Sequence, residues 1–113
     1  MKKDEAVFLR HMLDAIASIE EYTRGVSFER FMENPHVQDA VVRRLEIIGE
    51  AARNVPSEFQ ERHDEMPWAD VIALRNRIVH AYFAINLSIV WDIIQHDLPR
   101  LKDQLETVLG SGS

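Results

Sequence analysis

Apolar residues recur along most of the chain at steps of three and four, the spacing that lines one face of an α-helix. In residues 4–24 this spacing is carried by Val7, Leu9, Met12, Leu13, Ile16, Ala17 and Ile19. It continues in residues 35–53, 67–83 and 87–109. No segment shows the alternation of a strand. The pattern predicts an all-α protein with four long helices.

Capping residues predict where the first helices begin and end. Gly25 is a typical stop for the first helix. Ser27 can cap a short helix that ends at Met32, and Asn34 followed by Pro35 is typical of an N-cap and first helical position. The second long helix is therefore expected to begin at Pro35.

Two features predict the shape of the later part of the chain. Ser57 and Gln60 have the spacing of a capping box, which predicts a short helix over residues 57–63. Pro99 lies inside the last long helix, where its missing N–H and its ring predict a kink. The expected architecture is an up-and-down antiparallel bundle of four long helices with short connecting helices.

Length and composition set the frame for this bundle. A chain of 113 residues has room for one domain, which we assign to residues 1–109. Residues 110–113 read Gly-Ser-Gly-Ser and are interpreted as a linker or tag remnant. There is no cysteine, no signal-peptide pattern and no apolar run of the roughly 18 residues that a membrane span needs. We expect a cytoplasmic protein with no membrane association.

The formal charge of -6 argues against broad, charge-driven binding to nucleic acids, although a local anion site remains open. The five histidines are scattered, and no pair has metal-ligand spacing. Glycine-rich phosphate loops and serine nucleophile motifs are also missing. We therefore expect no metal site and no cofactor.

One window differs from the rest of the chain. Residues 71–91 contain no Asp or Glu, although the chain has 19 of them, and their only formal charges are Arg75 and Arg77. The same window brings Asn76, His80 and Tyr82 close together in sequence. An arginine that holds a phosphate and a histidine that transfers protons suit phosphodiester cleavage by a neighbouring 2'-hydroxyl, which needs no metal.

Helix geometry divides these side chains. At about 100° per residue, Asn76 and His80 share a face, whereas Arg75 and His80 lie about 140° apart. Arg75 and Tyr82 align within roughly 20°. Convergence requires the reach of Arg75, a distorted helix or the same segment from a second subunit, and we favour the second subunit. The structural alternative pairs Arg75 and Arg77 with Glu46 or Glu50. It makes His80 a hydrogen-bonded core residue and Tyr82 a packed aromatic residue with its hydroxyl at the rim.

The arrangement of Arg75, Asn76, His80 and Tyr82 resembles the motif of HepT-like toxins in the HEPN superfamily. Further matching landmarks are Ile48-Gly49-Glu50-Ala51, Pro67-Trp68, Trp91 and Leu98-Pro99. The resemblance covers nearly the whole chain. It implies a helical bundle, a homodimer that brings two motif helices to a shared cleft, and metal-independent endoribonuclease activity.

The resemblance also implies a partner. Such toxins form type VII toxin–antitoxin pairs with a minimal nucleotidyltransferase, which transfers AMP to the motif tyrosine, here Tyr82, within a larger hetero-oligomer. The catalytic candidates are Arg75, His80 and Asn76, with Glu50 and Arg77 in support and transfer or messenger RNA as substrate. The alternative is a non-catalytic HEPN module that binds a nucleotide or a nucleotidyltransferase partner through the same cleft.

Overall fold

The computed structural model describes residues 2–83 and 86–110, with the backbone but not the side chains of residues 79–83. The described residues form eight α-helices and one π-helical segment, and no strand. The elements are α1 (Lys3–Thr23), α2 (Phe28–Glu33), α3 (Pro35–Asn54), α4 (Ser57–Arg62), α5 (Trp68–Ile72), α6 (Leu74–Phe83), α7 (Leu87–Asp92), the π-helical segment (Ile93–Asp97) and α8 (Leu98–Gly110). The all-α prediction is confirmed.

The first helix boundaries follow the predicted caps. Helix α1 ends at Thr23, and Gly25 follows it with a φ of 72°, a conformation that an L side chain rarely adopts. Gly25 therefore stops the first helix as predicted. The Ser27 hydroxyl accepts a hydrogen bond from the Arg30 backbone N–H at 3.2 Å. The Asn34 side chain accepts one from the Val37 N–H at 3.2 Å, with Pro35 at the start of α3.

The predicted capping box at Ser57 is wrong. Pro56 is the N-cap of α4, and its Ser57 neighbour is already helical. The Gln60 amide instead donates to the carbonyl oxygens of Val55 at 2.9 Å and Ala52 at 3.4 Å. These carbonyls belong to the end of α3, where the last turn of a helix lacks internal donors. Gln60 therefore caps the preceding helix rather than its own.

The third long helix is interrupted. α5 ends at Ile72 and α6 begins at Leu74, with Ala73 between them at ψ -8°. The last long helix is also irregular, because the Leu98 N–H bonds to the Ile93 carbonyl five residues back. This π-helical segment directly precedes Pro99, so the backbone irregularity expected at the proline is found in the turn before it.

The helices enclose one apolar core. α3 packs against α1 on one side and against α5 and α6 on the other, and α8 also packs on α1. Fully buried side chains from these elements include Leu9, Met12, Ile16, Leu45, Ile48, Ile78 and Leu105. Among the described residues, no helix is both long enough and apolar enough to cross a membrane.

Candidate functional site

Gly49 brings α3 against the junction of α5 and α6. A Cβ atom added at Gly49 would lie 3.3 Å from the Val71 carbonyl oxygen, and 3.5 Å from both the Ile72 carbonyl oxygen and the Arg75 backbone nitrogen. Only glycine leaves room for backbone this close without displacement. This close approach places the first turn of α6 beside α3.

Arg75 lies where two clefts meet. The larger cleft, of about 390 Å³, is lined by residues of α1 and α3 and by Arg75. The smaller cleft, of about 220 Å³, lies between α3 and the α5–α6 junction and is lined by Arg75, Asn76 and Arg53. Glu50 lines both clefts. Three of the predicted site residues, Arg75, Asn76 and Glu50, therefore face a shared space.

The Arg75 guanidinium makes no ion pair with the side chains that the structure describes, although Glu46 and Glu50 line its cleft. Pairing with either glutamate was the structural alternative for this arginine. Glu46 lies instead 4.0 Å from Arg43, at the limit of an ion pair. Arg75 is exposed, and no carboxylate of the described residues pairs with its five N–H donors.

Arg77 has a different environment. Its Nη1 lies 3.8 Å from Oδ2 of Asp97, the last residue of the π-helical segment. The predicted alternative of pairing with Glu46 or Glu50 is wrong for Arg77, because two residues along α6 the side chain points away from α3. Both members of the pair are about half exposed, so the interaction contributes about 0–1 kcal/mol.

The side chains of His80 and Tyr82 lie outside the described part of the structure, so their predicted positions are not tested. Their backbone is described, and α6 is α-helical from Leu74 to Phe83. Over residues 68–83, which the structure describes, the helical backbone is interrupted at Ala73, which precedes Arg75. Helix distortion between Arg75 and His80 therefore does not bring these two residues together, which leaves arginine reach or a second subunit.

Helix α1 also contributes to this region, which the sequence pattern does not predict. Phe8 and His11 line the larger cleft, as do Arg43 and Ile47 of α3. Phe8 and His11 are three residues apart, so they share a helix face, but nothing in their local sequence pairs them with a motif more than 60 residues away. Within the described residues, no three His, Asp or Glu side chains converge in a way that could hold a metal ion.

Comparison with known proteins adds to this geometry. The model of the family described as "Ribonuclease HepT-like" matches residues 12–108. The chain belongs to the HepT-like ribonuclease family. The match includes α3, α6 and the whole motif from Arg75 to Tyr82, whereas Phe8 and His11 of the larger cleft precede the matched region.

Relatives that are named as probable or putative ribonucleases are similar to the chain over nearly its full length. "Probable ribonuclease HepT" of Thermococcus cleftensis is 40% identical over 106 residues, which cover 94% of this chain and 96% of that protein. "Putative RNase MJ1380" of Methanocaldococcus jannaschii is 36% identical, with 95% of this chain and 98% of that protein covered.

A further relative from Methanocaldococcus jannaschii is longer. It carries the name "Gamma-glutamylcyclotransferase and putative RNase MJ0434" and is 38% identical over 109 residues. The match covers 96% of this chain but 49% of the relative, so the chain spans about half the length of that protein. No solved structure shows a significant match to the chain.

Proposed function

We propose that the chain is an endoribonuclease that cleaves RNA without a metal ion and acts as the toxin of a type VII toxin–antitoxin pair. The observation that carries the proposal is Arg75, an arginine of a HepT-like chain that stands without an ion pair among the described side chains, where two polar clefts meet. A guanidinium in this position can bind a phosphate through two parallel hydrogen bonds.

The proposed reaction begins when the 2'-hydroxyl of a ribose attacks the adjacent phosphorus. A general base removes the hydroxyl proton, a bond forms between the 2'-oxygen and phosphorus, and the bond to the 5'-oxygen breaks. A general acid gives a proton to the leaving 5'-oxygen, so the products are a 2',3'-cyclic phosphate and a 5'-hydroxyl. Arg75 stabilises the negative charge that develops on the phosphate oxygens.

His80 is the proposed proton-transfer group, since imidazole is the side chain whose ordinary pKa is nearest to neutral. Asn76 lies four residues before it, on the same face of α6, and can orient the imidazole or the phosphate. Glu50 supports Arg75 from across the shared cleft. Arg77 supports the site only indirectly, because it is paired with Asp97.

The proposed active form is a homodimer. Because α6 is regular between Arg75 and His80, the 140° between these residues on one helix remains. A second motif helix, related by two-fold symmetry, would supply His80 of one subunit to Arg75 of the other. In a mixed dimer of one Arg75→Ala and one His80→Ala subunit, one of the two shared sites would then be intact and the dimer would have about half of wild-type activity, whereas each variant alone would be inactive.

Cleavage of RNA tests the proposal. We expect the purified protein to cleave single-stranded RNA in excess EDTA and to leave 2',3'-cyclic phosphate ends, and His80→Ala to be at least about 100-fold slower. His36→Ala, at an exposed position of α3, is the matched control and is expected to cleave normally. If wild type and His80→Ala are equally inactive while a nucleotide or a nucleotidyltransferase still binds, the chain is a non-catalytic binding module.

The proposed antitoxin is a minimal nucleotidyltransferase that transfers AMP from ATP to the Tyr82 hydroxyl and releases pyrophosphate. Tyr82 lies two turns after Arg75 on the same side of α6, so the added phosphate would be held near the guanidinium and occupy the substrate's place. Co-expression should add AMP to wild type but not to Tyr82→Phe, as read by peptide mass spectrometry. A neutralised complex with unmodified Tyr82 would mean inhibition by binding alone.

A further inference from the structure

The larger cleft connects Arg75 with residues of α1 and α3 that lie outside the sequence motif. It runs from Arg75 along α3, past Glu50 and then Glu46, to Arg43. Glu50 and Glu46 are one helical turn apart, which separates them by about 6 Å along the α3 axis. A ligand whose phosphate is held at Arg75 therefore has room for a neighbouring group beside Glu46.

The walls of this cleft combine an apolar surface with hydrogen-bonding groups. Phe8 of α1 and Ile47 of α3 are half-buried and pack against the core, so they present a fixed apolar surface. His11, one turn after Phe8, is exposed at the same cleft. Single-stranded nucleic acids are commonly bound by stacking of a base on an aromatic ring beside a positively charged groove.

Glu46 supplies a selective element. Its side chain lines the cleft and is about one-third exposed, and its contact with Arg43 is at the 4.0 Å limit of an ion pair, so the carboxylate retains capacity to accept hydrogen bonds. The Watson–Crick edge of guanine carries two adjacent N–H donors, on N1 and N2, which a single carboxylate can accept together. Adenine, cytosine and uracil each offer one donor group at that edge.

We propose that the cleft lined by Phe8, His11, Arg43, Glu46 and Ile47 is a subsite for one nucleobase of the RNA substrate, and that it selects guanine. The proposal rests on the proposed ribonuclease function and deepens it. Phe8 provides the stacking surface, Glu46 accepts the two guanine N–H donors, and Arg75 holds the phosphate next to that nucleotide. The volume of about 390 Å³ is within the range of small-ligand sites, which begins at roughly 300 Å³.

Binding of RNA that cannot be cleaved tests the subsite without relying on catalysis. The probes are labelled, fully 2'-O-methylated hexanucleotides of uridine, in which one central position is uridine, guanosine, adenosine or cytidine. Fluorescence anisotropy with the full chain should show that the guanosine probe binds on the order of ten-fold more tightly than the other three, the usual selectivity of one good bidentate base contact.

Two variants test the stacking role of Phe8 separately from the guanine-selecting role of Glu46. Glu46→Gln keeps the size of the side chain but replaces one acceptor oxygen with a donor, so the guanosine probe should fall to the affinity of the others. Phe8→Leu keeps an apolar side chain but removes the ring, so all four probes should weaken several-fold while the guanosine preference remains. Phe28→Leu, which changes a 37% exposed phenylalanine on α2, is the matched control and should bind like wild type.

Kinetics on unmodified RNA give a second measurement. For RNA with guanosine at the cleaved step, Glu46→Gln should raise KM about ten-fold and leave kcat within about two-fold. For RNA with adenosine there, neither constant should change. A purely structural role for Glu46 would instead alter both substrates alike.

The outcomes distinguish this subsite from the ribonuclease proposal itself. Guanosine-selective binding without any cleavage would support the subsite and contradict the proposed function. Cleavage with equal binding of all four probes would keep the function and overturn the subsite. Selectivity that survives Glu46→Gln would overturn the role of Glu46.

Discussion

Arg75 and Arg77 lie two residues apart on α6, yet they face opposite environments. At about 100° per residue their side chains leave the helix about 200° apart. Arg77 contacts Asp97 of the π-helical segment at 3.8 Å, whereas Arg75 faces two polar clefts at α3 and makes no ion pair with the described side chains. The two arginines look alike in sequence, but among the described side chains one has an ion pair and the other has none.

The difference follows from how each side of α6 is packed. On the Arg75 side, Gly49 lets the backbones of α3 and α6 meet, and the carboxylates of Glu46 and Glu50 face the space beside that contact rather than the guanidinium itself. On the Arg77 side, the π-helical segment ends with Asp97 opposite the helix. Position in the sequence motif therefore does not show which of the two arginines has an ion pair among the described side chains.

The largest effect expected from this comparison is on RNA cleavage. Arg75→Ala should reduce kcat/KM by about 100-fold or more, because it removes a charge stabiliser at the proposed reacting phosphate. Arg77→Ala, the matched control on the same helix, should stay within about three-fold of wild type, since it removes only an exposed pair. Both rates are measured on the same labelled RNA after circular dichroism confirms folding. Equal losses for the two variants would contradict the distinction.

A smaller effect is expected when the contact between α3 and α6 is opened. Gly49→Val places side-chain atoms where a Cβ alone would already be 3.3 Å from the Val71 carbonyl oxygen, so we expect a loss of about 1–3 kcal/mol in the free energy of unfolding. Urea denaturation measures it. Ala17→Val, at an exposed position of α1, changes helix propensity without the close contact and should cost less than about 1 kcal/mol.

If Gly49→Val loses no more stability than Ala17→Val, α3 and α6 can move apart to accommodate the added side chain at little cost in free energy. If the contact also positions Arg75, Gly49→Val should reduce cleavage at temperatures where the variant remains folded. Wild-type activity in a destabilised Gly49→Val protein would show that the close approach serves packing alone.

The smallest effect concerns the Arg77 ion pair. A double-mutant cycle with Arg77→Ala and Asp97→Ala should give a coupling energy of about 0.2–1 kcal/mol in urea denaturation, and raising the salt concentration should lower it. A coupling well above this range would show that the pair is an important structural link between α6 and the π-helical segment, and that Arg77 is less replaceable than its exposure indicates.

The helices and their first caps could be predicted because both depend on neighbouring residues. Periodicity over three or four positions identifies a buried face, and Ser27 and Asn34 cap the N–H groups immediately after them. Gln60 was misinterpreted for the opposite reason. Its spacing from Ser57 matched a capping box, but its amide found unpaired carbonyls at the end of α3, which local spacing cannot reveal.

In the candidate site, too, some features depend on neighbouring residues and others on tertiary contacts. The sequence by itself determined that Arg75, Asn76, His80 and Tyr82 occupy one helical segment and how far apart they point around it. Only the tertiary structure decided that Arg75 is left without an ion pair among the described residues while Arg77 has one, and that Phe8 and His11 of α1 share a cleft with Arg75. The physical reason is that periodicity acts over a few residues, whereas contacts between helices depend on how their whole surfaces pack, here on a glycine that lets two backbones touch.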